Sequence, residues 1–199
     1  MAKNKKITVQ RIFPANNFLL SMHEYTNTRI HGPYRILLTG PESTGKTLLA
    51  RRLAEAYQTA WAPEYARAYL ETLGRPYEEE DLLHIAHGQM LLEDFQAQFA
   101  RRILPCDTGL LVLKVWSEYK YGHCHPWILE QLHRRTYDLY LLCGTDAPWA
   151  YDPLRENPNE REELYAIYKR ELEQMGVSFT EVWGGVEERV EIVRGLIGY

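Results

Sequence analysis

Gly40-Pro41-Glu42-Ser43-Thr44-Gly45-Lys46-Thr47 matches the pattern G-x-x-x-x-G-K-[ST] in full. A loop of this type binds phosphate. Its two glycines let the backbone wrap until several N–H groups and a helix N-terminus converge on phosphate oxygens. Lys46 is expected to reach the β- and γ-phosphates of ATP, and Thr47 to give its hydroxyl to Mg²⁺. Pro41, Glu42, Ser43 and Thr44 are expected to line the same nucleotide site.

Phosphoryl chemistry also needs carboxylates and further cations, and the sequence offers both. Ile103-Leu104-Pro105-Cys106-Asp107 is an apolar run that ends in a carboxylate. Asp107 suits the acidic residue that helps hold Mg²⁺, the reading favoured over the alternative that Asp107-Thr108-Gly109 caps a following helix. Glu64, after Ala62-Pro63, stands where a second strand ends, which is where open α/β sheets bind ligands. Arg67 lies one turn further along the same face; the two residues read either as a working pair or as a surface pair. Asp152, Arg155 and Arg161 fall in or beside a polar, proline-bearing stretch. They suit a lid whose arginines neutralise the transferring phosphoryl group, or else a solvated charged segment.

The elements that must hold these residues alternate. Short apolar runs at 35–39, 59–62, 103–106, 138–143 and 178–183 read as buried parallel strands. Helical spacing is found at 45–57, 78–102, 109–120, 126–135, 159–175 and 186–197. This alternation predicts an α/β fold with a central parallel sheet, five-stranded by this count. Taken with the phosphate loop and the lid arginines, the expected fold is a P-loop kinase-like three-layer sandwich with a helical lid around 148–161. Residues 34–199 form the expected domain, and residues 1–33 an N-terminal extension, partly disordered, in which Met22 offers a second start.

With 199 residues, 23 Lys+Arg and 27 Asp+Glu, the net charge is −4. That leaves no overall basic field for a nucleic-acid backbone. No apolar run approaches the ~20 residues a membrane span needs, and no signal-peptide core follows the basic start. A cytoplasmic protein that works on a small molecule, without nucleic-acid or membrane partners, is therefore expected. Cys106, Cys124 and Cys143 are odd in number and lack paired spacing, which suits reduced thiols. The guanine signature Asn-Lys-x-Asp is absent, and a motor's coupling elements would not fit in this length. Among P-loop activities a small-molecule kinase fits best, with a kinase of another nucleoside, an ATPase or a nucleotide-binding module as alternatives.

From about Arg35 onward the chain resembles the ribosylnicotinamide kinase domain of NadR-type proteins. Four stretches carry the resemblance in order: the loop Gly40–Thr47; Glu64-Tyr65-Ala66-Arg67; Leu111–Gly122 with His125-Pro126; and Asp152-Pro153-Leu154-Arg155. The family's segment Asp-Thr-Asp reads Asp107-Thr108-Gly109 here, so the second carboxylate is missing. No His-x-Gly-His signature of the adenylyltransferase domain carried by longer members occurs. The resemblance implies transfer of the ATP γ-phosphoryl group to the 5′-hydroxyl of nicotinamide riboside, with Lys46, Glu64, Asp107 and Arg155 as catalytic groups and Glu64 at the hydroxyl. Arg155 and Arg161 would meet the nucleotide. Such an acceptor is a cationic aromatic and favours flat rings. Trp116, Tyr119, Tyr65 and Tyr69 are the candidates, with core packing the alternative for each; Arg67 joins them at the substrate.

His84 with His87, and His123-Cys124-His125, lack the further ligands of a metal site and read as ordinary surface or core residues. Gly88, inside the long helix, points to close approach of another group.

Overall fold

The structure, a computed structural model, describes residues 32–198. The extension expected over 1–33, with Met22, lies outside these residues save for its last two. Four parallel strands, β1 (Tyr34–Thr39), β2 (Ile103–Asp107), β3 (Leu139–Cys143) and β4 (Phe179–Val182), form one sheet in the order β2-β1-β3-β4. Around them stand α1 (Lys46–Tyr57), α2 (Tyr65–Leu73), α3 (Glu79–Ala97), α4 (Leu110–Tyr121), α5 (Pro126–Arg134), α6 (Arg161–Gln174) and α7 (Val186–Ile197).

Successive strand residues point to opposite faces, and both faces are covered, which explains why the strands read as unbroken apolar runs. Ile36, Leu38, Leu141, Cys143 and Val182 pack with Leu49 and Leu53 of α1 and with Val190 and Val193 of α7. Leu37, Cys106, Tyr140 and Leu142 pack on the other face with α3 to α6, through Leu82, Ile85, Leu111, Ile128 and Leu172. The result is three layers. All three cysteines are free and buried, and among the described residues no helix is long and apolar enough to cross a membrane.

Two expectations are corrected. The segment 59–62 makes a single bridge, Ala62 to Cys106, in place of a fifth strand. Ala62 N–H donates to Pro105 O at 2.9 Å and Ala62 O accepts from Asp107 N–H at 2.8 Å. Pairing stops there because the chain turns into α2 at Tyr65. At the other end the Thr59 hydroxyl, rather than its main chain, bonds Ile103 O and Arg101 N–H. The lid, expected to be helical, is irregular from 144 to 160 apart from short turns. Pro148, Pro153 and Pro158 remove donors, and the N–H groups of Leu154, Glu156 and Asn157 go to the carboxylates of Asp152 and Glu42. Helix α2, conversely, was not among the predicted elements.

The close approach expected at Gly88 is made by a side chain. A Cβ there would lie 2.1 Å from the Tyr65 ring, so α2 packs onto α3 through the absent side chain. Gly195, near the end of α7, has nothing within 4 Å of its missing Cβ. Gly88→Ala should therefore destabilise the fold by roughly 1–3 kcal/mol through overpacking. Gly195→Ala should stabilise it by about 0.5–1 kcal/mol through helix propensity. Urea denaturation of the two variants checks both signs.

Candidate active site

The loop Gly40–Thr47 follows β1 directly and runs into α1. Gly40 has φ 129°, and a Cβ on it would sit 2.9 Å from Cys143 O at the end of β3. Only glycine lets the chain cross the sheet's carboxyl edge so closely. Gly45 (φ 80°) and Ser43 (φ 57°) are also left-handed, and the Thr44 hydroxyl closes the turn on Pro41 O at 2.8 Å. From α7, Arg189 braces the loop: its Nη1 donates to Thr44 O at 2.6 Å, its Nη2 to Asp146 at 2.7 Å and its Nε to Gly184 O at 3.0 Å. Sequence reasoning missed Arg189, because a brace 145 residues distant leaves no local signal.

The Lys46 ammonium lies inside the loop, donating to Gly40 O at 2.9 Å and Pro41 O at 2.5 Å. Below it is Asp107, 1% exposed, with neither carboxylate oxygen in a hydrogen bond of normal geometry. Burial pushes its pKa up; the nearby Thr47 hydroxyl, Lys46 and Arg67 offset part of that. A buried carboxylate with unused acceptors beside an exposed hydroxyl and a phosphate loop is a fitting donor set for Mg²⁺, which takes few protein ligands and fills its octahedron from phosphates and water. Among the described residues no cluster of three or more His, Cys, Asp or Glu forms another metal site.

Glu64 is the residue just before α2, and its carboxylate makes no capping bond. Burial, and next the negative charge of Asp107, raise its pKa; Lys46, Arg67 and Arg155 pull the other way. Glu64 and the whole loop line one cavity of about 280 Å³. Trp116, Tyr119, Arg67 and Arg155 line it as well. Leu70, Val112 and Tyr168 also line it and were not foreseen, since apolar lining cannot be told from core by spacing alone.

The connection between β3 and α6 lies over the loop. Arg155 reaches Ser43 Oγ at 3.3 Å and also Ala150 O, and Ala150 N–H donates to the same hydroxyl at 2.9 Å. Glu42 accepts the N–H groups of Glu156 and Asn157, so its carboxylate holds this connection. Arg67 pairs with Asp152 at 2.8 Å. Glu156 accepts from Tyr77 at 2.7 Å and from Lys120 at 3.2 Å, and the Trp116 indole N–H donates to that Tyr77 hydroxyl at 2.6 Å.

Three expected site residues are placed elsewhere. Tyr65 packs its ring against Gly88. Tyr69 donates to Asp81 at 2.7 Å. Neither lines the cavity, because both turn toward α3. Arg161 spends one nitrogen on Ser43 O, Thr145 O and Ala147 O, at 3.2, 2.9 and 2.8 Å. It is the first residue of α6 and ties that helix to Ser43 of the loop.

Asp107 has a pKa raised on folding, so its stability contribution is greatest at acid pH and is lost as pH rises through the folded-state value. At neutral pH its buried charge is a cost. Asp107→Asn should therefore stabilise the ligand-free protein by roughly 1–3 kcal/mol at neutral pH, with the gain shrinking in acid. Thermal denaturation across pH reads it.

Comparison with known proteins bears on the fold. The chain is 26% identical over 180 residues to "Trifunctional NAD biosynthesis/regulator protein NadR" of Escherichia coli (strain K12), covering 82% of this chain and 42% of that protein. It therefore spans less than half the length of this relative. A crystal structure of NadR protein in complex with NR superposes with a TM-score of 0.72 at 20% identity, covering 93% of this chain and 60% of that one. A deoxyadenosine kinase from M. mycoides superposes with a TM-score of 0.52 at 12% identity, covering 82% and 97%. These likenesses establish a P-loop kinase-like fold. A family model described as "AAA domain" matches residues 35–189, and the chain belongs to that family.

Proposed function

We propose that this protein is a small-molecule kinase that transfers the γ-phosphoryl group of ATP to the 5′-hydroxyl of nicotinamide riboside. The observation that carries the reading is one cavity that joins the phosphate loop to the Glu64 carboxylate and to the aromatic rings of Trp116 and Tyr119. Similarity to an NAD biosynthesis protein supports the choice of acceptor.

ATP phosphates would lie against the N–H groups of the loop and the start of α1. Lys46 would exchange its carbonyl partners for β- and γ-phosphate oxygens. Thr47 and Asp107 would hold Mg²⁺, which when bound draws charge from the phosphates. The riboside's cationic ring is met by Trp116 and Tyr119, and its hydroxyl by Glu64. Glu64 takes the hydroxyl proton as oxygen bonds to the γ-phosphorus and the bond to the ADP oxygen breaks. Its raised pKa makes it a stronger base than an ordinary glutamate. Arg155, already bonded to Ser43 beside the loop, is placed to answer the charge that builds on the transferring group.

An acceptor panel with ADP release as readout tests the reading. Release that depends on nicotinamide riboside is the expected result; release without any acceptor would mean an ATPase, and binding without release a nucleotide-binding module. Glu64→Gln should lower kcat about 10²-fold or more while ATP affinity survives. The wild-type acid limb, set above the ordinary glutamate range because the pKa is raised, should vanish in that variant. Arg155→Ala should lower kcat more than it raises the riboside KM; a change confined to KM would place Arg155 at the acceptor instead.

A further inference from the structure

The first turn of α2 is capped by a residue from another helix. Backbone N–H groups in a helix's first turn have no partner within the helix, and the preceding residue commonly supplies one from its own side chain. Glu64 holds that position with extended backbone, φ −64° and ψ 111°, yet makes no such bond. The Tyr65 N–H donates instead to Gln89 Oε1 on α3, at 2.8 Å. The Glu64 carboxylate is thereby left for the cavity.

Gln89 is 2% exposed, and its amide is oriented from behind. Its Nε2 donates to Glu93 Oε1 at 3.3 Å. An ionised carboxylate only accepts, so the nitrogen must face Glu93 and the oxygen Tyr65. Glu93, 0% exposed, is held in turn by Arg135 Nε at 3.0 Å and by the Tyr137 hydroxyl at 3.1 Å, with Arg35 at 3.7 Å. The Tyr65 ring rests on Gly88, next in sequence to Gln89. Two adjacent residues of α3 thus grip Tyr65 by ring and by main chain. Gln89 and Glu64 also share the walls of a second cavity of about 10 Å³, so movement of one changes the space open to the other.

We propose that Gln89 is a positioning residue for phosphoryl transfer: by accepting the Tyr65 N–H it fixes the first turn of α2 and aims the Glu64 carboxylate at the acceptor hydroxyl. The proposal rests on the reading of Glu64 given above. Glu93 and Arg135 act one step further back, by deciding which end of the Gln89 amide meets Tyr65.

A double-mutant cycle on the full chain tests it, with kcat for riboside phosphorylation and KM for ATP as readouts. Gln89→Met keeps the length of the side chain and removes the acceptor. Alone it should lower kcat roughly 10-fold to 100-fold, the scale of a misplaced reacting group, with ATP KM unchanged. Added to Glu64→Gln it should cost less than about two-fold further, since nothing remains to aim. Equal losses in both backgrounds, an unchanged kcat, or a loss confined to ATP KM would overturn the proposal. A wild-type rate for Glu64→Gln by itself would instead overturn the reading of Glu64.

If Gln89→Met does not fold, Gln89→Glu decides. When protonated, the new carboxyl can accept from Tyr65 N–H and donate to Glu93; when ionised, it meets Glu93 as a like charge. Arg135, Arg35 and the Tyr137 hydroxyl face Glu93, while Asp107, Lys46, Arg67 and Arg155 surround Glu64; all of these are common to variant and wild type. The ratio of variant to wild-type kcat should therefore be near one in acid and fall as pH rises. A ratio independent of pH would overturn the proposal.

Discussion

Two carboxylates facing one ammonium set the terms for the rest of the site. Asp107 and Glu64 raise each other's cost of ionisation, and Lys46 is the cation nearest to both in effect. Water cannot relieve Asp107, which is 1% exposed, whereas Glu64 is only partly buried and lines the cavity. In a medium of low effective dielectric such charges act at long range on one another. Arg67 and Arg155 contribute from the cavity wall, but Arg67 is already paired with Asp152. The two carboxylates stand at the end of β2 and just beyond the 59–62 segment.

The same economy explains the irregular connection after β3. Its backbone donors are satisfied by side chains of the loop beneath it, Glu42 above all. Side chain to main chain bonds of this kind compete with helix formation, and three prolines reinforce the outcome. Ser43 meets Pro148, Ala150 and Arg155 at once. The phosphate loop is therefore fastened both above, by this connection, and below, by Arg189.

The layers and the loop were legible because their signals are local. An apolar run, a glycine pattern and helical spacing each lie within a few residues, so β1, the loop, α1, α3 and α7 follow from short windows. The fifth strand misled because Thr59-Ala60-Trp61-Ala62 has strand composition, whereas the choice between a strand and a single bridge depends on Thr59 bonding across to β2. Trp116 and Tyr65 were indistinguishable as sequence. What separates them is Gly88, which draws one ring onto α3 while the other faces the cavity. Arg189 and Gln89 were invisible for the same reason: each acts on a partner far away in the chain.

Gly109 lies where the resembling family carries its second carboxylate. A Cβ at this position would come within 2.8 Å of both Leu37 and the Tyr137 hydroxyl. That hydroxyl is committed to Glu93, so it cannot withdraw without leaving a buried carboxylate short of a donor. A side chain at position 109 would therefore have to displace Leu37 and the Tyr137 hydroxyl together, and the bond to Glu93 with it.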